Sequence, residues 1–186
     1  MSDLVFDKET HTYRMGGRVI SSVTQAILKA GLIDARWFTE ESRIRGTAVH
    51  EAIFYDVHND LHKPSLHPVV VPYIEAWEKF KTQSKFKPMP KFCELRQWHP
   101  LYDYCGTPDL LGMLNGRVWL IDVKTGDCPT AGIQTAAYRE FPKIRAFSPM
   151  RASLRLKPDG TYRLLPHEND ANDFAIFLQA LKISKQ

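Results

Sequence analysis

Hydrophobic positions along the chain change their spacing repeatedly, and each change predicts a new structural element. Apolar residues three and four positions apart indicate helices, and short alternating runs indicate strands. Helical spacing predicts four longer helices, at Ala35–Tyr55, Pro72–Thr82, Thr130–Phe141 and from Asn169 or Asp170 to about Ile183. A shorter helix, Val23–Ala30, is predicted between the N-cap residues Ser21-Ser22 and the C′ residue Gly31.

Alternating runs separated by turn residues predict the strands. They are Leu4–Arg14 and Arg18–Ile20 around Gly16-Gly17, Lys91–Tyr104, Leu110–Leu114 and Arg117–Val123 around Asn115-Gly116, and Arg151–Leu156 and Thr161–Leu165 around Pro158-Asp159-Gly160. This order of elements predicts an α/β fold, in which a mixed central β-sheet is flanked by helices on both faces. A length of 186 residues fits a single domain over 1–186.

The hairpin around Asn115-Gly116 has a register that can be counted from its turn. Asn-Gly favours a two-residue type I′ loop, which places Leu114 opposite Arg117. Counting onward along both strands places Asp109 opposite Asp122. Opposite residues of an antiparallel pair have Cβ atoms about 4.5–5.5 Å apart. Two carboxylates at this separation repel each other, so this end of the hairpin needs a positive partner.

A divalent cation is the partner that such a pair favours. Hard cations bind carboxylate oxygens, and an ion between Asp109 and Asp122 would turn their repulsion into binding. Lys124 lies two residues after Asp122, so strand alternation places its ammonium on the same face. The sequence therefore predicts a site of two acids and one lysine. In the simpler alternative, Asp122 is a tolerated edge charge and Lys124 is solvated.

These residues resemble a nuclease signature. Pro108-Asp109 followed by Asp122-Val123-Lys124 is similar to the PD-(D/E)xK motif, with Asp in the middle acidic position. Two further segments are similar to the RecB-like exonuclease branch of that superfamily: Arg45-Gly46-Thr47-Ala48-Val49-His50 and the QxxxY pattern from Gln134 to Tyr138. The opening stretch also resembles the N-terminal part of small phage-type exonucleases. The matching segments span roughly half of the chain.

The resemblance implies a restriction-endonuclease-like core and metal-dependent hydrolysis of DNA. Its implied ligands for one or two Mg²⁺ or Mn²⁺ ions are His50, Asp109, Asp122 and the Val123 carbonyl. Lys124 is then catalytic together with the two aspartates, because it orients the attacking water and offsets charge on the phosphate. The residues implied to hold the DNA strand are Arg45, Thr125, Gln134 and Tyr138.

Some of these positions have simpler interpretations from the residues alone. A lone helical histidine such as His50 is usually packed or solvated, and Tyr138 would be a core residue. Glu94 occupies an inward-looking position of the predicted strand Lys91–Tyr104, where it supports the metal ligands or adds one. Pairing of Glu94 with Arg96 or another basic residue is the equal alternative.

Basic residues concentrate between Arg139 and Arg163, in a chain whose formal net charge is +4. Seven lysines and arginines in this stretch stand against only Glu140 and Asp159. Such a patch fits the phosphate backbone of a nucleic acid. Arg151 and Arg155, on one face of a single predicted strand, are the expected DNA contacts. A solvated basic face is the alternative.

Composition indicates the class of protein and its expected cellular environment. With 44% hydrophobic and 25% charged residues, the sequence is typical of a soluble globular protein. No apolar run approaches the roughly 18 residues of a membrane span, and no signal peptide opens the chain. Cys93, Cys105 and Cys128 lack CxxC spacing, which fits a reducing cytoplasm, that of a bacterial or phage-infected cell. Iron–sulfur clusters of RecB-like proteins use four cysteines, so none is expected.

The combined expectation is a Mg²⁺- or Mn²⁺-dependent deoxyribonuclease. An exonuclease is favoured, because a single cutting site suits single strands or DNA ends better than a symmetric double-strand cut. DNA is the expected partner, together with a recombination or replication protein. Two alternatives stay open: a non-catalytic nucleic-acid-binding module of the same fold, and a nuclease subunit of a larger recombination or CRISPR-like complex.

Overall fold

The computed structural model describes residues 4–7, 10, 12–33 and 39–186. Its elements in chain order are β1 (Leu4–Asp7), β2 (Thr12–Met15), β3 (Arg18–Ile20), α1 (Val23–Lys29), α2 (Glu40–Val57), α3 (Val71–Ser84), β4 (Lys87–Pro88), β5 (Gln97–His99), β6 (Tyr104–Gly106), β7 (Leu110–Leu114), β8 (Arg117–Lys124), α4 (Ala131–Arg139), α5 (Pro142–Arg145), β9 (Met150–Leu156), β10 (Tyr162–His167) and α6 (Asp170–Ser184). The predicted helices are present, although the proposed start of the second at Ala35 lies outside the described residues. No helix in these ranges has the length and apolar character needed to cross a bilayer.

The central sheet has five strands in the order β10-β9-β8-β7-β4. β8 and β9 run parallel, whereas the other neighbours are antiparallel. A parallel pair requires a crossover connection, and α4 and α5 lie between β8 and β9 in the chain. The predicted mixed sheet is therefore confirmed. A three-stranded sheet of β1, β2 and β3 and the two-stranded pair of β5 and β6 stand apart from it.

Strand alternation sends the apolar side chains of the central sheet into two cores. Leu110, Ile121 and Val123 pack with buried residues of α2 and α3 on one face. Leu111 and Leu120, the residues next to them, pack on the other face with buried residues of α1, α4, α5 and α6. Helices thus cover both faces, as the sequence predicts, and the fold is mixed α/β.

The β7–β8 hairpin forms with the predicted register. Asn115 and Gly116 have φ values of 50° and 74°, the left-handed conformation that a type I′ turn requires at both central positions. The ladder pairs Leu114 with Arg117 and ends with Leu110 opposite Ile121. It therefore stops one pair short of the aspartates, and Asp109 precedes the strand.

The predicted strand Lys91–Tyr104 is wrong over most of its length. The chain makes a single 3₁₀ turn at Pro90–Phe92, and within the predicted range only Gln97–His99 and Tyr104, the first residue of β6, lie in strands. Glu94 has a left-handed φ of 51°, and its backbone N–H donates to the Asp109 carbonyl at 2.9 Å. The segment turns to meet the start of β7, which an extended strand could not do.

Arg151 lies in the interior and not on a DNA-binding surface. The residue is 1% exposed. Its guanidinium donates to Asp170 Oδ1 at 2.6 Å, Asp173 Oδ2 at 2.9 Å and the Gly132 carbonyl at 2.6 Å. The predicted DNA contact at Arg151 is wrong, because residues of α4 and α6 enclose its side chain.

Other members of the predicted basic patch are neutralised by acidic side chains. Arg139 pairs with Asp170, Arg145 lies 3.5 Å from Glu140, and Arg155 pairs with Asp127. Asp127 and Asp170 lie outside the basic stretch, so its local composition overstates the positive charge available to a partner.

The role of Arg151 in joining β9 to α4 and α6 is testable by mutation. We expect Arg151→Ala to lower the free energy of unfolding by about 3 kcal/mol, because it leaves carboxylates without their buried partner. Urea denaturation followed by circular dichroism measures the loss. The exposed Arg163, changed to Ala, is the control and should shift stability by less than about 0.5 kcal/mol. Equal, small effects of both substitutions would contradict the structural role.

Candidate metal centre

Three potential metal ligands converge from distant parts of the chain. His50 projects from α2, Glu94 from the loop before β5, and Asp109 from the residue before β7. Their ligand atoms all lie within 4.8 Å of one another, and no other group of three or more such residues does so in the described part of the chain. His50 Nδ1 is 3.1 Å from Glu94 Oε1 and 3.6 Å from Asp109 Oδ1. Glu94 therefore pairs with His50, and the structure shows no pairing with Arg96.

Backbone groups hold this cluster against the end of β8. Asp109 Oδ2 accepts the Val123 N–H at 2.6 Å. His50 Nε2 lies 3.2 Å from the Val123 carbonyl, the same carbonyl that the sequence proposes as a ligand. The backbone N–H of Glu94 donates a hydrogen bond to the Asp109 carbonyl, which fixes the position of Glu94. The predicted residues His50, Asp109 and Val123 are thus brought together, and Glu94 joins them directly.

Asp122 is a buried carboxylate with little compensation. The residue is 1% exposed, and neither carboxylate oxygen accepts a well-aligned hydrogen bond from the described residues. Lys124 Nζ forms an ion pair with Oδ2 at 2.7 Å. Burying a charge without hydrogen bonds is costly, so these oxygens are strong candidate ligands for a cation. The imidazole, carboxylate and carbonyl donors of this region suit a hard divalent ion such as Mg²⁺ or Mn²⁺.

The ionisation of these groups reflects the same concentration of negative charge. Burial raises the pKa of Asp122 to about 6, against the lowering effect of Lys124. Burial likewise raises the pKa of Asp109, and His50 opposes the shift. For His50, burial lowers the pKa, but Asp109 and the bond to Glu94 outweigh it and raise the pKa to about 9. The His50 imidazolium and the Lys124 ammonium are therefore the positive groups next to these carboxyl groups.

Lys124 contacts the helix that follows its strand. Its Nζ donates to Gln134 Oε1 at 3.1 Å, and Gln134 Nε2 donates to Tyr138 Oη at 3.0 Å. Gln134 Nε2 also lies 3.4 Å from Thr24 Oγ1 at the start of α1. The sequence contains no local signal for Thr24, because 110 residues separate it from Gln134.

Tyr138 belongs to the core. The residue is 4% exposed and packs among the helices on the α4 face of the sheet. Stacking of its ring on a DNA base is therefore excluded in this conformation, and the interpretation as a core residue is confirmed. Its hydroxyl still reaches the site through Gln134.

The remaining predicted substrate contacts lie around the cluster. Arg155 is opposite Lys124 in the parallel ladder, and its side chain is 36% exposed beside Asp127. Thr125 is half-buried and follows Lys124 directly. Arg45 lies on α2 with its guanidinium 6.0 Å from the centre of the Tyr73 ring, and its buried Nε has no hydrogen-bond partner among the described residues. For these three residues, contact with DNA stays a prediction.

Comparisons with known proteins do not identify a family. The chain matches no protein-family model, and a search of curated proteins finds no match. The similarity to the PD-(D/E)xK nucleases therefore depends on the quoted motifs.

Removing the charge of Asp122 tests the cation site. In metal-free buffer, we expect Asp122→Asn to leave the free energy of unfolding level or to raise it by about 1–2 kcal/mol, because a poorly compensated buried charge is lost. Addition of Mn²⁺ should raise the melting temperature of the unchanged protein, and the variant should lose most of that shift.

The matched control is Asp127→Asn on the same segment, where the side chain is 81% exposed. It should keep the full Mn²⁺-dependent shift. A strong destabilisation by Asp122→Asn in the absence of metal would instead assign Asp122 to the support of the fold.

Proposed function

We propose that the protein is a Mg²⁺- or Mn²⁺-dependent deoxyribonuclease with a restriction-endonuclease-like core of the RecB-like type. One observation carries the proposal: His50, Glu94 and Asp109 converge beside the buried Asp122. The oxygens of Asp122 accept no aligned hydrogen bond from the described residues and have the Lys124 ammonium at 2.7 Å. The arrangement of an antiparallel hairpin, a crossover helix and a parallel strand supports the assignment of the core.

The chain's own residues divide the work at this centre. His50, Glu94, Asp109, Asp122 and the Val123 carbonyl are the groups that would hold the ion. A bound divalent cation supplies Lewis acidity toward a phosphate oxygen and toward water. The buried Asp109 and Asp122 would orient the ion at a place with little access to bulk water, where nearby charges act in a medium of low dielectric constant.

Lys124 is placed to act on the scissile phosphate. An ammonium has three N–H donors. Gln134 accepts one of them, and Asp122 forms an ion pair with the group. In this proposal a further N–H serves a phosphate oxygen or the attacking water. A preorganised ammonium at this position offsets the charge that develops on the phosphate in the transition state.

In this proposal, a few side chains close to the metal centre bind the substrate. Arg155 and Thr125 flank Lys124, and Arg45 lies on α2 with a guanidinium that contacts no carboxylate in the described structure. A few contacts near one cutting site suit single strands or DNA ends, which supports an exonuclease.

A nuclease subunit that depends on a DNA-binding partner is the second candidate. The ion pairs of Arg139, Arg145 and Arg155 favour it, because they reduce the positive surface that this chain offers to DNA. Cleavage by the purified chain alone, compared with cleavage after addition of a recombination or replication protein, distinguishes the two.

End-labelled DNA provides the direct test of the proposed activity. Linear single-stranded and double-stranded substrates are incubated with Mg²⁺, Mn²⁺ or EDTA, and covalently closed circular DNA serves as the substrate without ends. We expect metal-dependent cleavage of linear DNA, its loss in EDTA, and its loss in Asp109→Asn and Asp122→Asn. Metal-dependent DNA binding without cleavage would instead favour a non-catalytic module.

Lys124→Ala separates chemistry from binding. We expect the single-turnover cleavage rate at saturating metal to fall by about 10²-fold or more, while metal and DNA affinities stay within a few fold. Lys124→Arg should not restore the rate, because a planar guanidinium does not replace a compact ammonium in a confined site. Near-normal cleavage by the alanine variant would remove Lys124 from the mechanism.

A further inference from the structure

A hydrogen bond joins the small N-terminal sheet to the candidate metal centre. Tyr13 of β2 is 7% exposed, and its hydroxyl lies 2.6 Å from Thr107 Oγ1, a residue 94 positions later in the chain. Thr107 stands two residues before Asp109, in the connection between β6 and β7. The bond therefore acts on the segment that delivers an acidic ligand.

The segment from Gly106 to Asp109 is confined on several sides. A Cβ built on Gly106 would lie 2.7 Å from Cε1 of Tyr138, so the backbone is pressed against that ring. At the other end, Asp109 accepts the N–H groups of Val123 and Glu94 through its carboxylate and its carbonyl. A shift of this segment would therefore move Asp109 and Glu94 together.

Tyr13 is itself packed between the two neighbouring strands of its sheet. It is paired with Phe6 of β1, with ring centroids 4.5 Å apart, and with Ile20 of β3 on its other side. The guanidinium of Arg96, two residues after Glu94, lies 5.3 Å from the centre of the Phe6 ring. Burial raises the pKa of Tyr13 to about 12, so the phenol keeps its proton at neutral pH and has a donor for Thr107.

We propose that Tyr13 is a positioning residue of the metal centre: its hydroxyl fixes Thr107, and through it the placement of Asp109 and Glu94. The N-terminal sheet thereby sets the affinity of the site for its ion. This inference depends on the proposed function, because it assumes that the cluster binds a divalent cation. In known metal sites, residues that orient the metal ligands without contacting the ion contribute substantially to the affinity for the metal.

Calorimetric titration of the purified full chain with Mn²⁺ tests the role of Tyr13. We expect Tyr13→Phe to weaken Mn²⁺ binding by about 3- to 10-fold, because one hydrogen bond behind the ligands is lost. The control is Tyr104→Phe, which removes another buried phenol hydroxyl, one that donates to the Ala137 carbonyl at 2.7 Å. We expect the control to change the urea midpoint to a similar extent and to leave the Mn²⁺ affinity unchanged.

Thr107→Val removes the other partner of the same hydrogen bond. It should weaken Mn²⁺ binding as Tyr13→Phe does, and the double variant should be no weaker than either single one, since both remove one interaction. In cleavage assays the loss should appear at limiting Mn²⁺ and disappear at saturating Mn²⁺, whereas loss of a catalytic group would persist.

The outcomes separate this inference from the proposed function. Mn²⁺ binding that is equal in the unchanged protein and in both variants overturns the role of Tyr13 alone. Equal weakening in Tyr13→Phe and Tyr104→Phe also overturns it, because the effect would then follow general stability. Absence of Mn²⁺ binding in the unchanged protein overturns the proposed function and the positioning role with it.

Discussion

Negative charge held away from water at the end of β8 is the constraint around which the candidate site is organised. Asp109 and Asp122 are both buried, and Glu94 adds a third carboxylate near them. The His50 imidazolium and the Lys124 ammonium balance part of this charge. Isolated buried carboxylates would be strongly destabilising, so the fold tolerates the cluster only because cations stand within it. A divalent ion bound by His50 would take the place of the imidazole proton, because imidazole coordinates a metal only in its neutral form.

A second buried ionic group, the Arg151 guanidinium, lies on the face of the central sheet that also carries Asp122, and it is positive where Asp122 is negative. Arg151 stands opposite Leu120 in the β8–β9 ladder, four residues before Arg155. Its donors are engaged by carboxylates, a carbonyl and the Thr135 hydroxyl. That cluster is satisfied by the protein alone and joins β9 to two helices. The carboxylate oxygens of Asp122, by contrast, accept no aligned hydrogen bond from the described residues, and this physical difference is why Asp122 is proposed as a ligand and Arg151 is not.

Local chemistry made the hairpin predictable. The Asn115-Gly116 turn requires left-handed backbone at two positions, and once it forms, each residue of β7 has one partner on β8. Asp122 and Lys124 share a face for the same local reason. The partner of Asp109 could not be predicted by counting along the hairpin. The ladder ends at Leu110, and the Asp109 carboxylate accepts a hydrogen bond from the Val123 N–H. For Glu94 the sequence leaves open a place near the ligands or a basic partner, and the residues around Glu94 form a turn where a strand is predicted.

Sequence alone determined most of the helices and the faces of the central strands, because these follow from turn residues and from spacing within one segment. It placed Arg151 and Arg155 on one face, yet only tertiary packing decided that α4 and α6 bury Arg151. Packing likewise decided that Glu94 meets His50, that Gln134 meets Thr24 and that Tyr13 meets Thr107. These partners are 44, 110 and 94 residues apart, and no local pattern encodes such distances. The residue types of the proposed ligands are present in the sequence, whereas their convergence depends on how helices and small sheets pack against the central sheet.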